Sequence, residues 1–143
     1  MNVRKARRGD ELGITLLLSD MGYETPVHEV QGRLLPIMND NLYVTLVVEE
    51  KKELLGMLGM HYERSYVANI LVARIITMVT AKKYRHQGIG RKLIREAERL
   101  AYEKGASTVV LNSGNREERR AAHQFYEACG YLGKSTGFYK SIG

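Results

Sequence analysis

Two glycines, Gly88 and Gly90, stand at the predicted start of a long helix and are the residues best suited to chemistry. The first amides of a helix have no partners within the helix and lie at the positive end of its dipole. Because glycine has no Cβ atom, an anion can approach these amides closely. Arg85 and His86 precede the pair and Arg91 follows it, which adds positive charge. The pattern predicts a binding site for a phosphate or pyrophosphate group.

The residues on either side of these glycines predict the elements that position them. Residues 74–80 are rich in β-branched side chains, which favour a strand. From Ile89 the apolar residues recur at helical spacing as far as Gly105, a residue type that commonly ends helices. A solvated basic turn would also contain glycines, but the strand before and the helix after favour the anion site. A dinucleotide-binding loop is excluded, because Leu93 stands in place of its third glycine.

Two motifs give this chain a resemblance to a known family. The segment Arg85-His86-Gln87-Gly88-Ile89-Gly90 fits the R/Q-x-x-G-x-G/A signature of the GNAT superfamily of acetyl-CoA-dependent N-acetyltransferases, which the chain therefore resembles. A second segment, from Ala122 to Tyr131, resembles the family's A-x-x-x-Y-x-x-x-G-F/Y pattern. The resemblance covers nearly the whole chain in order. It implies transfer of the acetyl group of acetyl-CoA, by direct attack, to a primary amine of a small molecule or a protein.

The same resemblance implies roles for individual residues. The backbone of the predicted strand at 78–80 would pair with the pantetheine amides, and the Val79 N–H region would polarise the thioester carbonyl. Tyr126 would be the general acid for the departing thiolate, since an unperturbed phenol has a pKa of about 10, near that of a thiol. Arg119 would either contact a cofactor phosphate or face solvent. The implied cofactor-binding residues are Met78, Val79, Thr80, Arg85, His86, Gln87, Gly88, Ile89, Gly90, Arg91 and Arg119.

The residue that deprotonates the acceptor amine stays open. A lysine-like amine with a pKa of about 10.4 is neutral in only about one molecule in 2,500 at pH 7, so a general base or a water chain is expected. Many relatives carry an acid on the central strand, but residues 74–78 contain none. Glu24, His61 and Glu63 remain as candidate bases. Tyr23, Glu24, His61 and Glu63 are the candidates for substrate contacts. Exposed turn residues or structural hydrogen-bonding groups are the alternative interpretation of these four.

The rest of the chain predicts one α/β (α+β) domain over residues 1–143. A short strand and two helices precede a hairpin at residues 42–49 and 54–62. After the central strand and its helix, the pattern predicts a strand, a helix and two final strands at residues 131–133 and 137–141. The predicted order is β-α-α-β-β-β-α-β-α-β-β, a mixed sheet with helices on both faces, as the resemblance also implies.

Composition and charge agree with a small enzyme domain. The net charge of +6 raises the question of nucleic acid, but the basic residues alternate with glutamates and form no long basic tract. No apolar run approaches the roughly 20 residues that cross a bilayer, and no secretion signal is visible. With one cysteine, Cys129, a cytoplasmic protein without membrane contact is expected. The histidines and the cysteine show no metal-ligand spacing.

Two alternative functions remain open at this stage. A non-catalytic acyl-CoA-binding or sensor domain on the same fold would account for the missing strand acid. A basic nucleic-acid-binding module would account for the net charge. The oligomeric state stays open, and a homodimer is one alternative, because dimers are common among the resembled proteins.

Overall fold

A computed structural model of the protein describes residues 1–113 and 119–143. These residues form two compact units, Met1–Val110 and Leu111–Gly143. A single domain over the whole chain stays a prediction. The elements in chain order are β1 (Asn2–Lys5), α1 (Glu11–Asp20), α2 (Val27–Met38), β2 (Tyr43–Glu50), β3 (Glu53–Arg64), β4 (Leu71–Thr80), a 3-10 turn (Lys82–Tyr84), α3 (Ile89–Lys104), β5 (Ala106–Leu111) and α4 (Arg120–Ala128).

The five strands form one mixed sheet, as the sequence predicted. They lie across it in the order β1-β2-β3-β4-β5. The first four strands pair with one another in antiparallel fashion. The hairpin between β2 and β3 turns on Lys51 and Lys52, which have φ values of 51° and 66°. A two-residue turn with positive φ at both positions matches the right-handed twist of the flanking strands, so this turn fixes the hairpin register.

Helices cover both faces of the sheet, which confirms the predicted architecture. On one face, here called the α1/α2 face, a cluster of buried apolar side chains joins both helices to the strands: Ile14, Leu17, Val30, Leu34, Val47, Met57 and Val79. On the opposite α3 face, α3 buries Ile89 and Leu93 against β3. A Cβ atom on Gly56 would lie 2.7 Å from Ile89 Cγ2, so only glycine lets α3 approach this closely.

The prediction of two final strands, at residues 131–133 and 137–141, is wrong. Residues 131–143 contain no helix or strand, and Leu132, Phe138 and Tyr139 are 77%, 94% and 89% exposed. A strand is stable only with a partner and a covered face. Successive strand side chains point to opposite sides, so the adjacent aromatic residues at 138 and 139 cannot form one apolar face. Glycines at 133 and 137 further lower the strand propensity.

Asp10 is a buried carboxylate, only 8% exposed, that joins β1 to the start of α1. It accepts hydrogen bonds from Nη1 and Nη2 of Arg4, both at 2.9 Å, and from the Arg7 amide at 2.8 Å. The Arg4 guanidinium is the main cause of a lowered pKa of Asp10. The lowered pKa means that Asp10 stabilises the folded protein in its ionised form.

Replacing Asp10 with asparagine is expected to lower the free energy of unfolding at neutral pH by about 2 kcal/mol, because Arg4 loses its two-pronged partner. The contribution of ionised Asp10 is present above its unfolded pKa and is lost as the pH falls through its folded pKa. Urea unfolding should therefore separate the variant from wild type at neutral pH and less so in acid. Asp40→Asn, at an exposed turn carboxylate bonded to the Leu42 amide, is the control. Equal losses in the two variants would contradict the prediction.

Candidate functional site

The predicted anion-binding loop joins β4 to α3. Gly88 caps α3 with φ of 81°, in the left-handed region that glycine adopts without strain. A Cβ atom on Gly88 would meet no other atom within 4 Å, so the space in front of this residue is open. The next residue, Ile89, is 1% exposed and anchors the first turn of the helix in the core. The loop thus presents an open glycine on a rigid base.

The backbone amides of residues 87–91 have no hydrogen-bond partner within the described residues. The first bonded amide is that of Lys92, which donates to the Gly88 carbonyl oxygen at 3.1 Å. These open amides lie at the positive end of a 16-residue helix. Arg85 and His86 are exposed beside them, and His86 has a φ of 67°, an uncommon backbone conformation for a non-glycine residue. The arrangement suits a phosphate group.

Two carboxylates from distant parts of the chain hold the 3-10 turn that precedes this loop. Asp20, the last residue of α1, accepts a hydrogen bond from the Lys82 amide at 2.9 Å. Glu53, the first residue of β3, accepts one from the Tyr84 hydroxyl at 2.7 Å and pairs with Lys83 Nζ at 2.9 Å. Sequence analysis did not identify either carboxylate, because the residues around each of them give no sign of a contact with the distant turn at residues 82–84.

The predicted pantetheine-binding residues are the last three of β4. Met78, Val79 and Thr80 pair with β3, and the Val79 side chain is buried in the cluster on the α1/α2 face. The Val79 side chain is therefore closed to a ligand. The register between β3 and β4 shifts nearby, leaving Ile76 as an unpaired and 52% exposed extra residue. Such a bulge increases the local twist of a strand and changes the direction of the groups beside it.

His61 and Glu63, two of the predicted substrate contacts, lie together near the end of β3. The His61 ring stacks on Tyr43 of β2 with a centroid distance of 5.4 Å, and its Nε2 atom lies 3.4 Å from Glu63 Oε1. The same oxygen accepts a hydrogen bond from Arg74 Nε of β4 at 2.7 Å. This hydrogen bond from Arg74 is the main cause of a lowered pKa of Glu63, which stays ionised. Tyr43 and Arg74 were not predicted, because their contacts depend on the register across three strands.

The other two predicted substrate contacts lie where α1 leads into α2. Tyr23 is 63% exposed, and its amide donates to the Leu18 carbonyl oxygen at 2.9 Å. Glu24 lines an open cavity of about 470 Å³. The other residues that line it are Thr15, Leu16, Ser19, Thr25 and Pro26. The structure thus places the four predicted residues in two groups, one beside α1 and one on β3.

Tyr126 and Arg119 belong to the second unit, Leu111–Gly143. Tyr126 lies in α4, and its ring meets Phe125 edge to face with a centroid distance of 5.7 Å. The Tyr126 carbonyl oxygen accepts the amide of Tyr131 at 3.0 Å. Arg119 precedes α4, and its Nε atom lies 3.4 Å from Ser113 Oγ. The roles of Tyr126 as acid and Arg119 as phosphate contact stay predictions.

No group of three or more His, Cys, Asp or Glu side chains in residues 1–113 and 119–143 is arranged to hold a metal ion. None of the helices in these ranges is both long and apolar enough to cross a membrane.

Comparison with known proteins assigns the chain to a family. The sequence model of the acetyltransferase (GNAT) family matches residues 15–131, so the chain belongs to this family. A GNAT family acetyltransferase from Staphylococcus aureus is 26% identical, with a TM-score of 0.85 over 99% of this chain and 98% of that one. No curated protein sequence matches the chain significantly.

Two further solved structures share the fold at lower identity. A glucosamine-6-phosphate N-acetyltransferase from Arabidopsis thaliana is 22% identical, with a TM-score of 0.82 over 99% of this chain and 98% of that chain. An aminoglycoside 6'-N-acetyltransferase from Acinetobacter haemolyticus is 15% identical, with a TM-score of 0.82 over 100% of this chain and 99% of that chain. At these identities the likeness shows the fold alone.

Replacing Glu53 with glutamine is expected to weaken the coenzyme A binding that the resemblance implies about threefold to tenfold, because the turn before the loop loses a charged partner. Isothermal titration with coenzyme A measures the effect. Glu50→Gln is the matched control, since Glu50 lies at the other end of the same hairpin turn and pairs with the N-terminal amine at 3.2 Å. Unchanged affinity in Glu53→Gln would show that the turn does not set the position of the loop.

Proposed function

We propose that the protein is an acetyl-CoA-dependent N-acetyltransferase that acetylates a primary amine of a small molecule or a protein. The single observation that carries the proposal is the set of open amides at residues 87–91, in front of Gly88 and at the start of α3. Family membership supports acetyl transfer as the reaction. Together these features support a diphosphate-bearing acyl donor.

The first unit supplies the groups that would hold the donor. The amides of residues 87–91 bind the pyrophosphate, and Arg85 and His86 add positive charge beside it. The backbone at the end of β4 pairs with the pantetheine amides, as an added strand would. The Val79 N–H region polarises the thioester carbonyl, so negative charge that develops on the oxygen meets a fixed donor. Arg119 is a further phosphate contact in this proposal.

Tyr126 supplies the proton for the leaving group in this proposal. The amine nitrogen attacks the carbonyl carbon, the C–S bond breaks and the thiolate takes the phenolic proton. A phenol is well matched to this step, because its acidity is close to that of the thiol it protonates.

The acceptor side offers carboxylates, which suit an amine that arrives as an ammonium ion. Glu24 lines its cavity beside the hydroxyl groups of Thr15, Ser19 and Thr25, a combination that suits an amine carrying several hydroxyl groups. Glucosamine 6-phosphate and aminoglycosides are amines of that kind, and two proteins of this fold are named for them. Tyr23 lies next to Glu24 and is exposed at the same link.

Two measurements test the proposal. Isothermal titration with coenzyme A is expected to show one saturable site. Release of thiol from acetyl-CoA is then followed against a panel of glucosamine 6-phosphate, an aminoglycoside, propylamine, hydroxylamine and a lysine-containing peptide. Turnover with any of these amines supports the proposal. Binding without turnover on the panel would favour the non-catalytic acyl-CoA sensor, and no saturable binding would exclude both.

A further inference from the structure

We propose that His61 is the general base that deprotonates the acceptor ammonium, and that Glu63 is a positioning residue for it. This inference rests on the proposed acetyl transfer. It identifies the general base, which the sequence alone left open. It draws on a polar strip of the sheet within the first unit. We define the polar strip by two cross-strand rows, Thr45–Gly59–Thr77 and Tyr43–His61–Arg74, together with Glu63.

Strand register places the polar strip on the α1/α2 face. Gly59 and His61 follow Met57 at intervals of two residues along β3, and Met57 belongs to the buried cluster on that face. Residues directly opposite each other on neighbouring strands share a face, so Thr45 and Thr77 flank Gly59. The apolar cluster thus continues along the same face into polar side chains.

Gly59 leaves an opening in the middle of the strip. It is partly exposed, and a Cβ atom there would meet nothing within 4 Å. At a rise of about 3.3 Å per residue, Gly59 lies about 7 Å along β3 from His61 and about 7 Å from Met57, the cross-strand partner of Val79. An amine placed over Gly59 therefore reaches the His61 ring directly or through one water, and the end of β4 lies on its other side.

The surroundings of the ring select the nitrogen that takes the proton. Nδ1 is buried and has no hydrogen-bond partner among the described residues, whereas the side chain as a whole is 26% exposed. Nε2 is therefore the atom that exchanges a proton, and the resulting imidazolium lies 3.4 Å from Glu63 Oε1. The charged and titratable groups that face the ring are Tyr43 from β2, Arg74 from β4 and Glu63 on its own strand.

The proton balance of the reaction needs one such base. The acceptor ammonium gives one proton to Nε2 of His61, which later passes it to solvent. The free nitrogen lone pair then forms the C–N bond. As the C–S bond breaks, the sulfur takes the Tyr126 proton, and the second proton of the nitrogen restores the Tyr126 hydroxyl group. The products are the amide, the free thiol and one net proton released.

His61→Gln tests the inference with two amines from the panel. With propylamine at pH 7 we expect kcat/KM to fall about 100-fold, because without the base only the small neutral fraction of the amine can react. The deficit should shrink as the pH rises and the amine loses its proton unaided. With hydroxylamine, which is already neutral at pH 7, the variant should match wild type within about threefold. A merely structural role would reduce both rates together.

Glu63→Gln and a matched control complete the test. Glu63→Gln is expected to lower kcat/KM for propylamine about tenfold and to change its pH profile while leaving hydroxylamine turnover intact. Glu96→Gln makes the same change in another Arg–Glu pair, with Arg99 on α3, and should leave both rates unchanged. Coenzyme A affinity should stay at the wild-type value in all three variants.

The outcomes separate this inference from the proposed function. If wild type acetylates propylamine and His61→Gln does so equally well, the base lies elsewhere and acetyl transfer stands. If His61→Gln loses propylamine and hydroxylamine turnover to the same extent, His61 is structural and the inference fails. If wild type acetylates no amine on the panel, the proposed function fails and the role of His61 fails with it.

Discussion

Replacing Gly88 with alanine is expected to raise the Kd for coenzyme A about 100-fold. Two charge-assisted hydrogen bonds of about 1.5 kcal/mol each account for a loss of this size. The new Cβ atom points into the open space in front of the loop amides, where the pyrophosphate is proposed to bind. An alanine also resists the left-handed φ of 81° that the loop needs. Isothermal titration measures the affinity directly.

The other end of the same helix provides a matched control. Gly105 caps the C-terminus of α3 with φ of 94°, and a Cβ atom there would also meet nothing within 4 Å. Each alanine should therefore lower the free energy of unfolding by a similar amount, about 1 kcal/mol. Only the variant at Gly88 should bind coenzyme A more weakly. Wild-type affinity in Gly88→Ala would place the diphosphate elsewhere, and equal losses in both would assign the effect to helix stability.

Replacing Tyr126 with phenylalanine is expected to lower kcat about 1,000-fold, within the range that one proton-transferring group supplies. The substitution removes only the hydroxyl group, so the edge-to-face contact with Phe125 is retained. Coenzyme A affinity should not change, because the proposed role begins when the C–S bond breaks. Thiol release under saturating acetyl-CoA, together with titration of coenzyme A, separates the two quantities.

Tyr102→Phe is the control for this prediction. Tyr102 lies on α3 and is 83% exposed, so removing its hydroxyl group should leave kcat and affinity at their wild-type values. If Tyr126→Phe also turns over at the wild-type rate, another group or water protonates the thiolate. A parallel fall in kcat and in coenzyme A affinity would instead indicate a binding role for Tyr126.

The backbone of the loop between β4 and α3 could be predicted from sequence because its determinants are local. A β-branched strand, two glycines and an amphipathic helix follow one another within residues 74–105, and each specifies its own backbone. Gly88 and Gly105 show the left-handed φ values that make glycine the preferred cap at such positions. The element order up to α4 follows from the same kind of local signal.

The residues that sequence reasoning missed depend on contacts between distant segments. Asp20 holds Lys82 across 62 positions, and Glu53 holds Tyr84 across 31. The pairing of His61 with Arg74 depends on the register shift near Ile76, which hydrophobic patterning does not reveal. The two C-terminal strands were predicted wrongly for a related reason. Their local composition allows a strand, but it does not show whether a partner strand is present.

The missing side chain at Gly56 couples two positions that are far apart in sequence. Ile89 occupies the volume that a methyl group at position 56 would need. The distance between α3 and the sheet is therefore set at β3, the middle strand. Among homologous chains, these two positions should therefore covary in size. Where residue 56 is alanine, residue 89 should be smaller than isoleucine, and a single change without its counterpart should be selected against.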